Sequence, residues 1–184
     1  RFTDPQGSTS NNVYLDPESR SHQYSTVMHT PQLGPGRRYT LLSFSGLGHC
    51  VRYSDDGLTW EKPDLGIVQH EGKDTNWYPT PGDYRLWHVI HDPDDTDEKR
   101  RYKGLLKVDG SNPSGGLTTS GHQPVTSPDG HHWEKVDCPI LPSGDAGTLT
   151  YDRSRRRFMA LMKYQCPNGS ANNQSTREDY VNCL

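Results

Sequence analysis

Apolar residues in this chain come in short alternating runs separated by turn residues, which predicts strands rather than helices. Val13-Tyr14-Leu15-Asp16-Pro17 leads to His22-Gln23-Tyr24. His88-Val89-Ile90-His91-Asp92-Pro93 leads to Arg100-Arg101-Tyr102-Lys103-Gly104-Leu105-Leu106. Thr148-Leu149-Thr150-Tyr151-Asp152 leads to Arg156-Arg157-Phe158-Met159-Ala160-Leu161. A further hairpin-like run, Arg37 to Phe44, follows the Pro- and Gly-rich turn Pro31 to Gly36. Residues 61–82 carry Pro63, Gly66, Gly72, Pro79, Pro81 and Gly82, which excludes helix over most of that connection.

One short phrase is written twice. Ser54-Asp55-Asp56-Gly57-Leu58-Thr59-Trp60 recurs as Ser127-Pro128-Asp129-Gly130-His131-His132-Trp133, and both Trp residues precede Glu-Lys. Asp-Gly favours tight turns that need positive φ, and the Trp anchors the outgoing strand. The repeat predicts a repeated unit of strand, polar turn, strand, strand, Asp-Gly turn and strand. Four antiparallel strands in that order make one propeller blade. The expected fold is an all-β propeller with blades near residues 12–60, 83–133 and 145–164, followed by a polar tail over 165–184. About two and a half units do not close a ring, so the pattern predicts completion by a further segment or a second chain.

Composition adjusts this picture in a few places. Hydrophobic residues make up 29% of the chain and mean hydropathy is −0.97, low for a self-sufficient globule. The 17 aromatics (Trp 4, Tyr 10, Phe 3) offset that where they fall at strand and turn positions. Net charge is −3 with no basic stripe, so nucleic acid is not an expected partner. Arg100-Arg101 and Arg155-Arg156-Arg157 read as solvated strand starts. No apolar run reaches the ~18 residues of a membrane span.

Candidate chemistry is sparse. The four cysteines, Cys50, Cys138, Cys166 and Cys183, show no CxxC spacing, so no metal or other cofactor is expected. His88 and His91 lack a carboxylate or Cys at ligand spacing. Cys166 and Cys183 bound a polar segment with two glycosylation acceptors, Asn168-Gly169-Ser170 and Asn173-Gln174-Ser175. This fits an extracellular protein with a Cys166–Cys183 disulfide closing a glycosylated loop; the other reading is an open tail with free thiols. Trp77-Tyr78 is a candidate sugar-stacking pair, with plain loop packing as the alternative. Asp56 and Asp129 read as turn residues, and Asp16 and Asp92 as hairpin residues.

The phrase Ser54 through Gly66, ending Trp60-Glu61-Lys62-Pro63-Asp64-Leu65-Gly66, resembles a signature of five-bladed propeller glycosidases. The likeness is to family 32 glycoside hydrolases and related bacterial propeller proteins, over roughly residues 1–164. It implies an acid at the start of the innermost strand in each of the first three blades. Thr3-Asp4-Pro5-Gln6-Gly7, Gly82-Asp83 and Gly144-Asp145 are the matching phrases, so the resemblance implies Asp4, Asp83 and Asp145 as the catalytic set. Asp145 stands where that family carries a Glu. The function so implied is hydrolysis of carbohydrate by paired carboxylates. The alternative is a non-catalytic carbohydrate-binding or assembly module built from the same blades.

Overall fold

The computed structural model describes residues 25–45, 48–108, 121–143, 147–165, 174–180 and 183–184. The chain divides into two compact units, Arg1–Tyr78 and Pro79–Leu184. Both are built of antiparallel strands, so the fold is all-β with several antiparallel sheets. Helix among the described residues is confined to single 3-10 turns at Pro31–Leu33, Pro81–Asp83 and Glu98–Arg100.

In the first unit, β1 (Thr26–His29), β2 (Tyr39–Ser45), β3 (Gly48–Ser54) and β6 (Trp77–Tyr78) form one sheet in the order β1-β2-β3-β6. Between β3 and β6, β4 (Gln69–His70) and β5 (Lys73–Asp74) make a separate ribbon. As an edge strand, β1 is buried at Met28 and open at Val27. β3 is a central strand and is buried from His49 to Ser54. The β1–β2 turn is closed by Thr30, whose hydroxyl donates to the Arg37 carbonyl at 2.8 Å.

In the second unit, β7 (Arg85–His91), β8 (Tyr102–Val108), β9 (Gly121–Ser127) and β10 (Glu134–Lys135) pair in the order β10-β9-β8-β7. The outer strand is interrupted after β10 and resumes as β11 (Leu141–Pro142), which also pairs with β9. A bulge at His88, φ 48, breaks the β7–β8 register between Trp87 and Val89. A third sheet follows, with β12 (Gly147–Asp152), β13 (Arg157–Gln165) and β14 (Gln174–Tyr180) in order. β13 alternates cleanly, burying Phe158, Ala160 and Met162. These join Leu105 of β8 and Leu149 of β12 in one core, flanked by Ile90, Leu141, Cys183 and Leu184. The segment expected as a polar tail over 165–184 therefore supplies a strand. Its sequence, Gln-Ser-Thr-Arg-Glu-Asp-Tyr, has no apolar alternation, and an edge strand needs only its backbone to pair.

The twice-written phrase folds twice in the same way. Ser54 Oγ receives the Gly57 amide at 2.9 Å, and Asp56 Oδ1 receives the amides of Leu58 and Thr59 at 2.7 and 2.8 Å. Ser127 Oγ receives the Gly130 amide at 2.8 Å, and Asp129 Oδ1 receives those of His131 and His132, both at 2.9 Å. Gly57 and Gly130 have φ 74 and 87, which only glycine adopts readily. The strand registers also match, Tyr39 facing Ser54 and Tyr102 facing Ser127. Arg37-Arg38-Tyr39 thus occupies the place of Arg100-Arg101-Tyr102. The run that reads in sequence as an extra hairpin is the second strand of its unit, and Val13–Pro17 lies outside the described residues.

The carboxyl of Asp129 is held at about 2. Partial burial pushes it up, but the amides of His131 and His132 and the His132 ring outweigh that. Its folded value lies below the ordinary 3.8, so its stabilising contribution is complete above that value and fades as pH falls towards 2. An NMR pH titration of the Asp129 carboxyl carbon is expected to show a midpoint near 2; a midpoint near 3.8 would contradict the turn geometry.

Candidate functional site

Asp83 is the one member of the expected acid set among the described residues; Asp4 and Asp145 lie outside them. It closes the turn Thr80-Pro81-Gly82-Asp83 just before β7, donating its amide to the Thr80 carbonyl at 2.9 Å. Thr80 Oγ1 donates to the Tyr84 carbonyl at 2.5 Å and fixes the exit of the turn. Gly82 and Asp83 have φ 77 and 55, so the chain makes two consecutive left-handed steps. An Asp in that region stores strain. Its carboxylate is exposed and has no ion-pair partner among the described residues.

The expected stacking pair divides between surface and core. Asn76 and Thr75 hold β6 in place. The Asn76 side chain donates to the Val51 carbonyl at 2.7 Å, and Thr75 Oγ1 to the Val68 carbonyl at 2.6 Å. Strand alternation then sends Tyr78 inward and Trp77 outward. Tyr78 is 3% exposed, its ring 5.7 Å from that of His49, and burial pushes its phenol well above the ordinary value. Trp77 is half-buried, with its ring centroid 5.1 Å from that of the exposed His70. On the same ribbon the Gln69 amide donates to the Asp74 carboxylate at 3.0 Å, and both residues are exposed. A half-open indole beside an imidazole can stack on a sugar ring while the imidazole hydrogen-bonds one of its hydroxyls. Tyr78 is too buried to share that role.

Two polar clusters give no advance signal in the sequence, because their members meet only through strand register. Ser43 faces Cys50 across β2 and β3, with Oγ and Sγ 3.2 Å apart. The Arg52 guanidinium donates to both, at 3.1 and 3.2 Å. Burial pushes the Cys50 thiol up, outweighing the Ser43 bond and the Lys62 charge, so it stays protonated and is a poor nucleophile. In the second unit His122 Nδ1 lies 2.6 Å from Ser143 Oγ, with its ring 5.2 Å from Trp87. His122 is fully buried and Ser143 only 5% exposed, so no substrate reaches that hydroxyl.

His88 and His91 are both lowered by burial, with the Arg101 charge adding to the effect at His91, and are neutral at pH 7. Among the described residues no group of three or more His, Cys, Asp or Glu side chains is placed to hold a metal ion. Nor is any helix among them long and apolar enough to cross a membrane. Asn168, Asn173 and Cys166 lie outside the described residues. Compared with known proteins, the chain is matched by no family model, no curated protein and no solved structure.

Proposed function

We propose that the repeated sheets are blades of a β-propeller of the glycosidase-like kind, and that the chain binds extracellular carbohydrate through Trp77. The half-open indole of Trp77 beside His70, with Gln69 and Asp74 on the same ribbon, is the observation that carries this reading. The matched turns at Ser54–Gly57 and Ser127–Gly130 support the blade assignment, since they close equivalent strands in both units. In this reading the protein is a binding module, and further blades from a second chain or a longer polypeptide complete the ring.

Hydrolysis is the second reading, favoured by the strained backbone of Asp83 at the entry to β7. It requires a second carboxylate within about 5–10 Å of Asp83.

Calorimetric titration with soluble neutral oligosaccharides separates these possibilities from their absence. Binding is expected, and Trp77→Ala is expected to weaken it about tenfold. Equal affinity in wild type and Trp77→Ala would remove Trp77 from the site. A reducing-sugar assay addresses the second reading: release of sugar that Asp83→Asn abolishes supports catalysis, and no release leaves the binding module.

A further inference from the structure

The interruption of the outer strand brings two distant cysteines together. Between β10 and β11 the chain leaves the sheet, and Cys138 sits in that gap. Its amide donates to the Val136 carbonyl at 2.9 Å, while the Val136 amide donates to the Pro124 carbonyl at 3.0 Å. The gap is therefore pinned to β9 on one side. Cys183 arrives from the third sheet. Its carbonyl accepts from the Arg100 guanidinium at 3.1 Å, and Cys183, Leu184 and Leu141 pack on the core of Leu105, Leu149, Phe158, Ala160 and Met162. Cys183 Sγ lies 2.6 Å from Cys138 Sγ. The S–S bond is about 2.05 Å, so a small side-chain movement joins them.

We propose that Cys138 and Cys183 form a disulfide that fastens the segment after β14 to the interrupted outer strand of the second unit. This rests on packing inside that unit and is independent of the carbohydrate reading. It differs from the Cys166–Cys183 pairing expected from sequence. The oxidant is a small disulfide of the glutathione class. Cys183, as thiolate, attacks one of its sulfurs and releases one glutathione thiolate, leaving a mixed disulfide. Cys138 then loses its proton to solvent, attacks Cys183 Sγ and expels the second glutathione thiolate. Two protein thiols are oxidised by two electrons, and one glutathione disulfide is reduced to two glutathiones. Burial, the Cys183 thiol and the Asp137 carboxylate push the Cys138 thiol up to about 12.

The test is non-reducing peptide mapping of the full chain after incubation with glutathione disulfide and alkylation of remaining thiols. A linked Cys138–Cys183 peptide is expected, lighter than its two free peptides by two hydrogens. The variant C50S/C166S, which retains only this pair, should give the same peptide. Its Tm should fall by about 10 °C on reduction, since the bond closes a long loop. C138S should lose both the peptide and the reduction-sensitive shift. Alkylation of both Cys138 and Cys183 after oxidation, or a Cys166–Cys183 peptide in its place, would overturn the proposal.

Discussion

Replacing Lys103 with Met is expected to destabilise the second unit by about 2–4 kcal/mol. The Lys103 side chain is 1% exposed, and its ammonium donates to Asp92 at 2.9 Å, Asp95 at 2.7 Å and the Arg100 carbonyl at 2.8 Å. All three of its protons are used, and the charge also lies 5.1 Å from the Phe158 ring. Met keeps most of the buried stem but takes the ammonium from both carboxylates, although Asp95 keeps the Arg100 guanidinium at 3.7 Å. Those carboxylates are 28% and 17% exposed, so water recovers part of the loss and the cost stays below that of a fully buried pair. The pH dependence has a definite sign. Burial pushes the Asp95 carboxyl up, but its bonds to Lys103 and the Asp97 amide and the charges of Lys103 and Arg100 together hold it below the ordinary value of 3.8. A depressed carboxyl stabilises above its unfolded value and loses that contribution as pH falls through its folded one. The gap between wild type and Lys103→Met should therefore be widest at pH 7 and narrower below about pH 4. Urea unfolding at both pH values checks this; a gap under about 1 kcal/mol at pH 7 would show that the buried cation contributes little.

Trp133→Ala should cost about 3–5 kcal/mol, and Trp60→Ala less than about 2, although the two residues end the same phrase. Trp133 is 7% exposed and its indole N–H donates to the Gly130 carbonyl at 2.9 Å. The ring comes close to β8 at Gly104, where an added Cβ would sit 3.2 Å from the ring and 2.9 Å from Leu86 Cδ1. The matching position in β2 is Leu41, which is 6% exposed and carries a side chain where β8 has none, and Trp60 is half-buried. Gly104→Leu should accordingly displace Trp133 and reproduce most of its loss. Equal costs at Trp60 and Trp133 in denaturant unfolding would mean that the two turns are energetically equivalent despite their different strands.

The sequence signals that survive folding are those that act locally. Asp-Gly turns, Arg-Arg-aromatic strand starts and the alternation of β13 are read from neighbouring residues, and they recur in the structure at matched registers. Signals that depend on pairing are hidden. The equivalence of Arg37–Tyr39 with Arg100–Tyr102 becomes plain only once Tyr39 is seen facing Ser54. Buried Lys103, Arg52 and His122 look like surface residues because their partners come from other strands or turns. The polar strand β14 carries no apolar pattern at all. Of the candidate site, the aromatic pair was legible, but only alternation along β6 decides that Trp77 is open and Tyr78 closed. The approach of Cys183 Sγ to within 2.6 Å of Cys138 Sγ occurs at the break in the outer strand, which no spacing rule encodes.

The carbohydrate reading is tested most directly by the indole signals of the four Trp residues in a ¹H–¹⁵N spectrum during titration with soluble neutral oligosaccharides. The Trp77 indole should shift saturably while that of buried Trp133 stays in place, and Trp77→Ala should remove the response. A spectrum that no oligosaccharide perturbs, or a saturable shift that persists in Trp77→Ala, would contradict a carbohydrate site at Trp77.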